Sequence, residues 1–154
     1  MRLVVAVVGK PRHRALATAI EEYEQRAARY WPLDVQEVRE EPARNTPVDQ
    51  VRDREAERLR ARVSPGTRLV ACDETGRSMD SAEFARWLQA EREGGRDVAF
   101  LIGGAFGLAP SLRAQAPLAL SLAPWTLPHE LARLILAEQL YRAGTISRGE
   151  PYHK

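Results

Sequence analysis

The segment Leu3–Val8 is an unbroken apolar run of valines, alanine and leucine that stops at Gly9. A half-buried strand alternates apolar with polar residues; this one offers no polar face at all. It therefore reads as a strand buried on both sides, the condition of a parallel sheet covered by helices. Asp97–Ile102 (DVAFLI) and Thr67–Cys72 (TRLVAC) repeat the pattern. Leu33–Val38 alternates instead and reads as an exposed or edge strand, and Pro117–Leu122 is a short fifth. Helical periodicity separates them. His13–Tyr30 places Leu16, Ile20, Tyr23 and Ala27 on one face, and Val48–Val63 carries a thin stripe of Val51, Leu59 and Val63 among charges. Asp80 with Glu83 is a capping-box pattern opening a helix with Phe84, Trp87 and Leu88, and Gly94-Gly95 closes it. Asp73–Gly76 is expected to turn the chain after the third strand. A last helix is expected from Pro128 to about Gly144, with Thr126 available as its cap and an irregular tail from Thr145 to Lys154. Strands alternating with helices give an α/β fold, a mostly parallel sheet flanked by helices, in one domain spanning 1–154.

Composition narrows the class. A chain of 154 residues with a single cysteine, Cys72, needs no disulfide framework and suits a reducing compartment. Lacking a run of about 18 apolar residues and a signal-type leader, it is expected to be soluble and cytoplasmic, with no membrane partner. The net charge of +2 is modest, but every basic residue except Lys10 and Lys154 is arginine, whose planar fork suits phosphates and bases. A GC-rich genome produces the same excess.

Two segments carry chemistry. The strand ending at Ile102 runs into Gly103-Gly104-Ala105-Phe106-Gly107, where missing side chains let backbone approach a ligand; a tight structural turn gives the same pattern. The G-x-G-x-x-G spacing and the acid about 20 residues downstream are missing, which weakens a nicotinamide-dependent oxidoreductase. In Ser121–His129 two prolines stiffen a post-strand loop, and the amides of Ala123, Trp125, Thr126 and Leu127 need partners from a ligand or from neighbouring loops. Gly9-Lys10 reads as a plain strand-to-helix turn. The last helix is apolar nearly all round (Leu131, Leu134, Ile135, Leu136, Leu140, Tyr141), so it is central or pairs with another subunit, and Glu138 and Arg142 stand four apart as a helix pair. The chain closes on Tyr152-His153-Lys154, an aromatic, an imidazole and a cation suited to unpaired bases and phosphates, or simply a frayed end.

LIGGAFGL at 101–108, SLAPWTLPHEL at 121–131, AEQLYRA at 137–143 and RGEPYHK at 148–154 resemble, in this order, the ribosomal RNA large-subunit methyltransferase H family of the SPOUT class. VVAVVGK at 4–10 and IEEYEQR at 20–26 are similar too, so the resemblance covers essentially the whole chain. It implies a C-terminal trefoil knot and a homodimer with active sites at the interface. It also implies transfer of a methyl group from S-adenosylmethionine to N3 of a pseudouridine in 23S ribosomal RNA, on the assembled ribosome and without a metal. Carried over by position, the cofactor contacts fall on Cys72, Gly103 and Leu122, Ala123, Pro124, Trp125, Thr126 and Leu127. Substrate handling falls on Arg142, Tyr152 and His153, with His153 a candidate base and His129 near the pocket. Phe106, Cys72 and Trp125 depart from the family's usual occupants and alter pocket walls. A non-catalytic ribosome-binding factor with the same fold is the alternative.

Overall fold

The computed structural model describes residues 1–153; Lys154 lies outside the described residues. Five strands form one sheet in the order β2-β1-β4-β3-β5: β1 (Leu3–Val8), β2 (Leu33–Val38), β3 (Arg68–Ser78), β4 (Val98–Ile102) and β5 (Leu118–Ser121). Every pairing is parallel. β1 and β4, the two unbroken apolar runs, are buried along their whole length. The alternating β2 lies at an edge, as its pattern predicts.

Helices cover both faces. On one, Leu3, Val5, Val7, Phe100 and Ile102 pack against α1 (Arg14–Ala28), α3 (Ser81–Glu93) and α5 (His129–Ser147), with Trp31 filling the floor. On the other, Val4, Ala6, Val8, Ala99 and Leu101 meet α2 (Val48–Arg60) and the short α4 (Pro110–Gln115). Odd and even residues of the same strands thus supply two separate cores, which is why those strands had to be apolar throughout.

The predicted capping box forms: Asp80 accepts from the Glu83 amide at 2.7 Å, and Glu83 accepts from the Asp80 amide at 2.9 Å. Other expectations are corrected. Asp73–Gly76 does not end β3 but bulges from it, and pairing with β5 resumes at Arg77 and Ser78. The Asp73 carboxylate holds the Thr75 amide at 2.8 Å and its hydroxyl at 2.7 Å, so the turn is local and the strand resumes. Thr126 is not the cap of α5; Pro128 occupies that position without a side-chain cap bond. Gly144 does not stop α5, which runs on to Ser147 and leaves only the last residues irregular. Gly144 is a packing glycine, since a Cβ there would overlap the Tyr30 ring. Helix α4 was not anticipated; it is six residues long and buries only Leu112.

Helix α5 is central within the single chain, packed on α1 and α3. Its buried Arg133 joins two of its neighbours, contacting Glu24 of α1 at 2.9 Å and Glu37 of β2 at 2.7 Å. Leu131, Leu134 and Ile135 on the same helix stay half-exposed.

Candidate functional site

Parallel strands deliver their following loops to one edge of the sheet, where ligands of open α/β folds bind. Here the bulge of β3, the loop after β4 and the loop after β5 enclose a cleft of about 270 Å³, near the lower end of small-molecule pockets. Cys72, Gly103, Leu122, Ala123, Trp125, Thr126 and Leu127 line it, joined by His129 from the start of α5. Pro124 is exposed and not part of the wall; it shapes the loop from outside. Asp73 and Glu74 line the cleft as well. Their signal in the sequence was an acidic pair directly after a buried strand, and reading it as a turn hid it.

The glycine loop closes on itself. The Gly107 amide donates to the Gly104 carbonyl at 3.0 Å. A Cβ on Gly103 would sit 2.5 Å from the Gly107 carbonyl carbon, and Gly107 itself has φ +79°, so neither position takes a side chain without rearrangement. In the loop after β5, Ser121 ties its hydroxyl to the Ala123 carbonyl at 2.8 Å, and Thr126 reaches Glu74 at 3.5 Å. The amides of Ala123, Trp125, Thr126 and Leu127 make no hydrogen bond to any described residue. Burial pushes the Cys72 thiol up to about 12, so it is a neutral wall atom and not a nucleophile. Trp125 is 78% exposed, an indole standing at the mouth. Among the described residues no group of three or more His, Cys, Asp or Glu could hold a metal ion. No helix among them is long and apolar enough to cross a membrane.

A second cluster lies at the far end of α5. Glu138 accepts from Arg142 at 2.6 Å and from the Tyr152 hydroxyl at 3.1 Å. The Arg142 guanidinium lies 4.8 Å from the Tyr152 ring centre, and Tyr152 packs on Tyr141 at 4.5 Å. Burial, reinforced by Glu138, pushes the Tyr152 phenol up to about 12. His153 is exposed beside them. The structure therefore joins Arg142 to Tyr152 but does not bring either to the cleft. Thirteen residues of helix separate Arg142 from His129, about 20 Å at 1.5 Å per residue.

A model of the family described as "Predicted SPOUT methyltransferase" matches residues 1–153. The chain belongs to the SPOUT methyltransferase family. It is 65% identical over 154 residues, covering both chains completely, to a protein of Gemmatimonas aurantiaca named ribosomal RNA large subunit methyltransferase H. A protein of the same name from Anaeromyxobacter sp. is 48% identical, again over both full lengths. Among solved structures, the SpoU methyltransferase AviRb from Streptomyces viridochromogenes, in complex with AdoMet, aligns with a TM-score of 0.48 and 20% identity over 97% of this chain and 59% of its own. The cleft described above is thus the loop cleft of a SPOUT methyltransferase chain, and the Arg142–Tyr152 cluster is remote from it within that chain.

Proposed function

We propose that this SPOUT chain is an S-adenosylmethionine-dependent methyltransferase acting on N3 of a pseudouridine in large-subunit ribosomal RNA, on the assembled ribosome. The observation that carries the reading is the cleft itself: three post-strand loops, a glycine turn with no room for side chains, and four amides with no partner among the described residues. Its walls fit the cofactor. Leu122, Ala123 and Leu127 offer apolar surface, the loop amides offer donors to adenine and ribose, and Glu74 gives an acidic side suited to a sulfonium and an ammonium, Asp73 being held by Arg113 at 3.1 Å. The name borne by full-length relatives at 65% and 48% identity supports ribosomal RNA as the substrate.

Bound there, S-adenosylmethionine supplies an already activated methyl group. What the protein must add is alignment of the acceptor nitrogen and help with its imide proton. We assign the acceptor side to Arg142, Tyr152 and His153: Tyr152 stacks on a base, Arg142 balances the developing negative charge, and His153 takes the proton. Because these residues stand about 20 Å along α5 from the cleft, one chain does not complete the site. We infer a homodimer in which the tail of one protomer serves the cleft of the other, with the half-exposed Leu131, Leu134 and Ile135 in the contact. The trefoil knot that goes with the family belongs to the same proposal, and the return of α5 across α1 and α3 is compatible with it.

The test is transfer of a tritiated methyl group to ribosomes from a strain lacking this protein, followed by nucleoside mapping. Label on N3 of one large-subunit pseudouridine is the expected result. Binding to ribosomes with no transferred label would instead indicate a non-catalytic factor. Mixing protomers altered at Gly103 with protomers altered at His153 should restore activity if the site is shared between chains.

A further inference from the structure

Beside the cleft, across the tip of the glycine loop, lies a larger open cavity of about 880 Å³ at the carboxyl ends of β1 and β2. Phe106 lines both spaces and is 41% exposed. The cavity's charges are unevenly matched. Its rim acids are already held: Glu41 by Arg54 and Arg58, Glu40 by Arg12 at 2.7 Å, and Glu37 by the buried Arg133 at 2.7 Å. Its rim cations Lys10, Arg39 and Arg62 form no ion pair with any described residue, and all three are exposed. The floor holds Glu55, only 4% exposed, whose Oε2 accepts from the Glu41 amide at 3.1 Å, while Oε1 is sealed against Gly104 without a partner among the described residues.

A part-exposed aromatic ring and three cations without ion-pair partners around it are the complements of one nucleotide: base plane and phosphates. We propose that this cavity is a second RNA subsite, holding an unpaired nucleotide next to the one that is methylated. The base stacks on Phe106, and the flanking phosphates meet Lys10, Arg39 and Arg62. The subsite rests on the reading of RNA as substrate, and it gives Phe106 a role distinct from that of a cofactor wall. It also explains why the turn Gly9-Lys10 carries a cation at the end of a strand buried along its whole length.

The experiment measures binding of a fluorescein-labelled single-stranded RNA heptamer to the intact protein by anisotropy at low salt. An RNA duplex of the same composition is the comparator, and cofactor binding is followed separately by calorimetry. Arg39 and Arg62 are exposed and unpaired, so Arg39→Ala/Arg62→Ala should fold normally and bind S-adenosylmethionine as the wild type does. It should lose roughly tenfold or more in single-strand affinity, and the slope of log affinity against log salt should fall by roughly 1.4, as two lost phosphate contacts require. Phe106→Leu, which keeps an apolar wall but not the ring, should lose roughly fivefold or more for the single strand and nothing for the duplex. The subsite is refuted if wild-type protein does not prefer the single strand, or if both variants bind it within about twofold of wild type. Methyl transfer to ribosomes, assayed in parallel, separates this result from the catalytic proposal: transfer with no subsite effect refutes only the subsite, and single-strand binding without transfer refutes only the catalysis.

Discussion

Glu138 accepts the Tyr152 hydroxyl at 3.1 Å on the same oxygen, Oε1, that the Arg142 guanidinium contacts at 2.6 Å. One carboxylate thus fixes two of the three residues assigned to the RNA. Glu138→Ala should lower methyl transfer to ribosomes by roughly tenfold, through looser placement of both groups, while cofactor affinity measured by calorimetry stays level. The pair is partly exposed, so melting should move by no more than about 3 °C, the equivalent of roughly 1 kcal/mol. Loss of cofactor binding in this variant would show that the two ends of α5 are not separable.

The glycine turn offers a cleaner probe of the cleft. Gly103→Ala drives a methyl group against the Gly107 backbone, which is no flexible side chain that can swing away. The loop must shift, and cofactor affinity should drop by roughly tenfold or more while the circular-dichroism spectrum keeps its helical content. Unchanged affinity in calorimetry would remove this loop from the cofactor site.

Arg133 is buried between Glu24 and Glu37. Removing it leaves two part-exposed acids side by side without their cation and empties a buried site, so Arg133→Ala should cost about 2–3 kcal/mol, or roughly 8 °C in melting temperature. Adding Glu24→Gln and Glu37→Gln to Arg133→Met should recover most of that loss, because no unpaired charge is then left behind. Thermal melts of the two proteins decide it, and equal instability would mean that the ion cluster contributes specific geometry beyond charge balance.

Burial raises the Glu55 carboxyl above the usual glutamate range, with Glu40 adding to the effect and the Glu41 amide opposing it. The fold therefore favours the uncharged acid. As pH rises past the ordinary glutamate value near 4.3, the unfolded chain releases this proton first and stability declines until the folded carboxyl has ionised too. Glu55→Gln should accordingly melt measurably higher than wild type near neutrality, with the advantage shrinking towards pH 4. A variant less stable than wild type at pH 7 would show that the charge is compensated inside the protein.

Much of this was legible along the chain, and the reasons differ by segment. Leu3–Val8 and Val98–Ile102 announced a doubly covered parallel sheet because both of their faces are apolar, and Asp80 with Glu83 announced a helix start through side chains that bond their own backbone. Local chemistry misled at Asp73–Gly76, where a genuine turn is embedded in a strand that resumes, and at Gly144, where the missing side chain serves packing and not termination. The cleft residues were named from family order, since nothing in Leu122–Leu127 alone says that its amides lack partners. Arg133 and Glu55 were invisible as a class: a single charged residue in a helix looks solvated until its neighbours from other elements are known. Sequence spacing reports what lies near in the chain, whereas Glu24, Glu37 and Arg133 meet from three separate elements.

Helix α5 is 19 residues long, about 28 Å, with His129 facing the cleft at one end and Arg142 and Tyr141 anchoring the tail near the other. It behaves as a measuring rod. Lengthening it by one residue between His129 and Glu138 would advance the tail by about 1.5 Å and swing Glu138, Arg142 and Tyr152 together through about 100° relative to His129, although the buried contacts of the first turn are kept. The span of this helix is therefore answerable to two places at once, and its tolerance for insertion is set by how far apart those places must be kept.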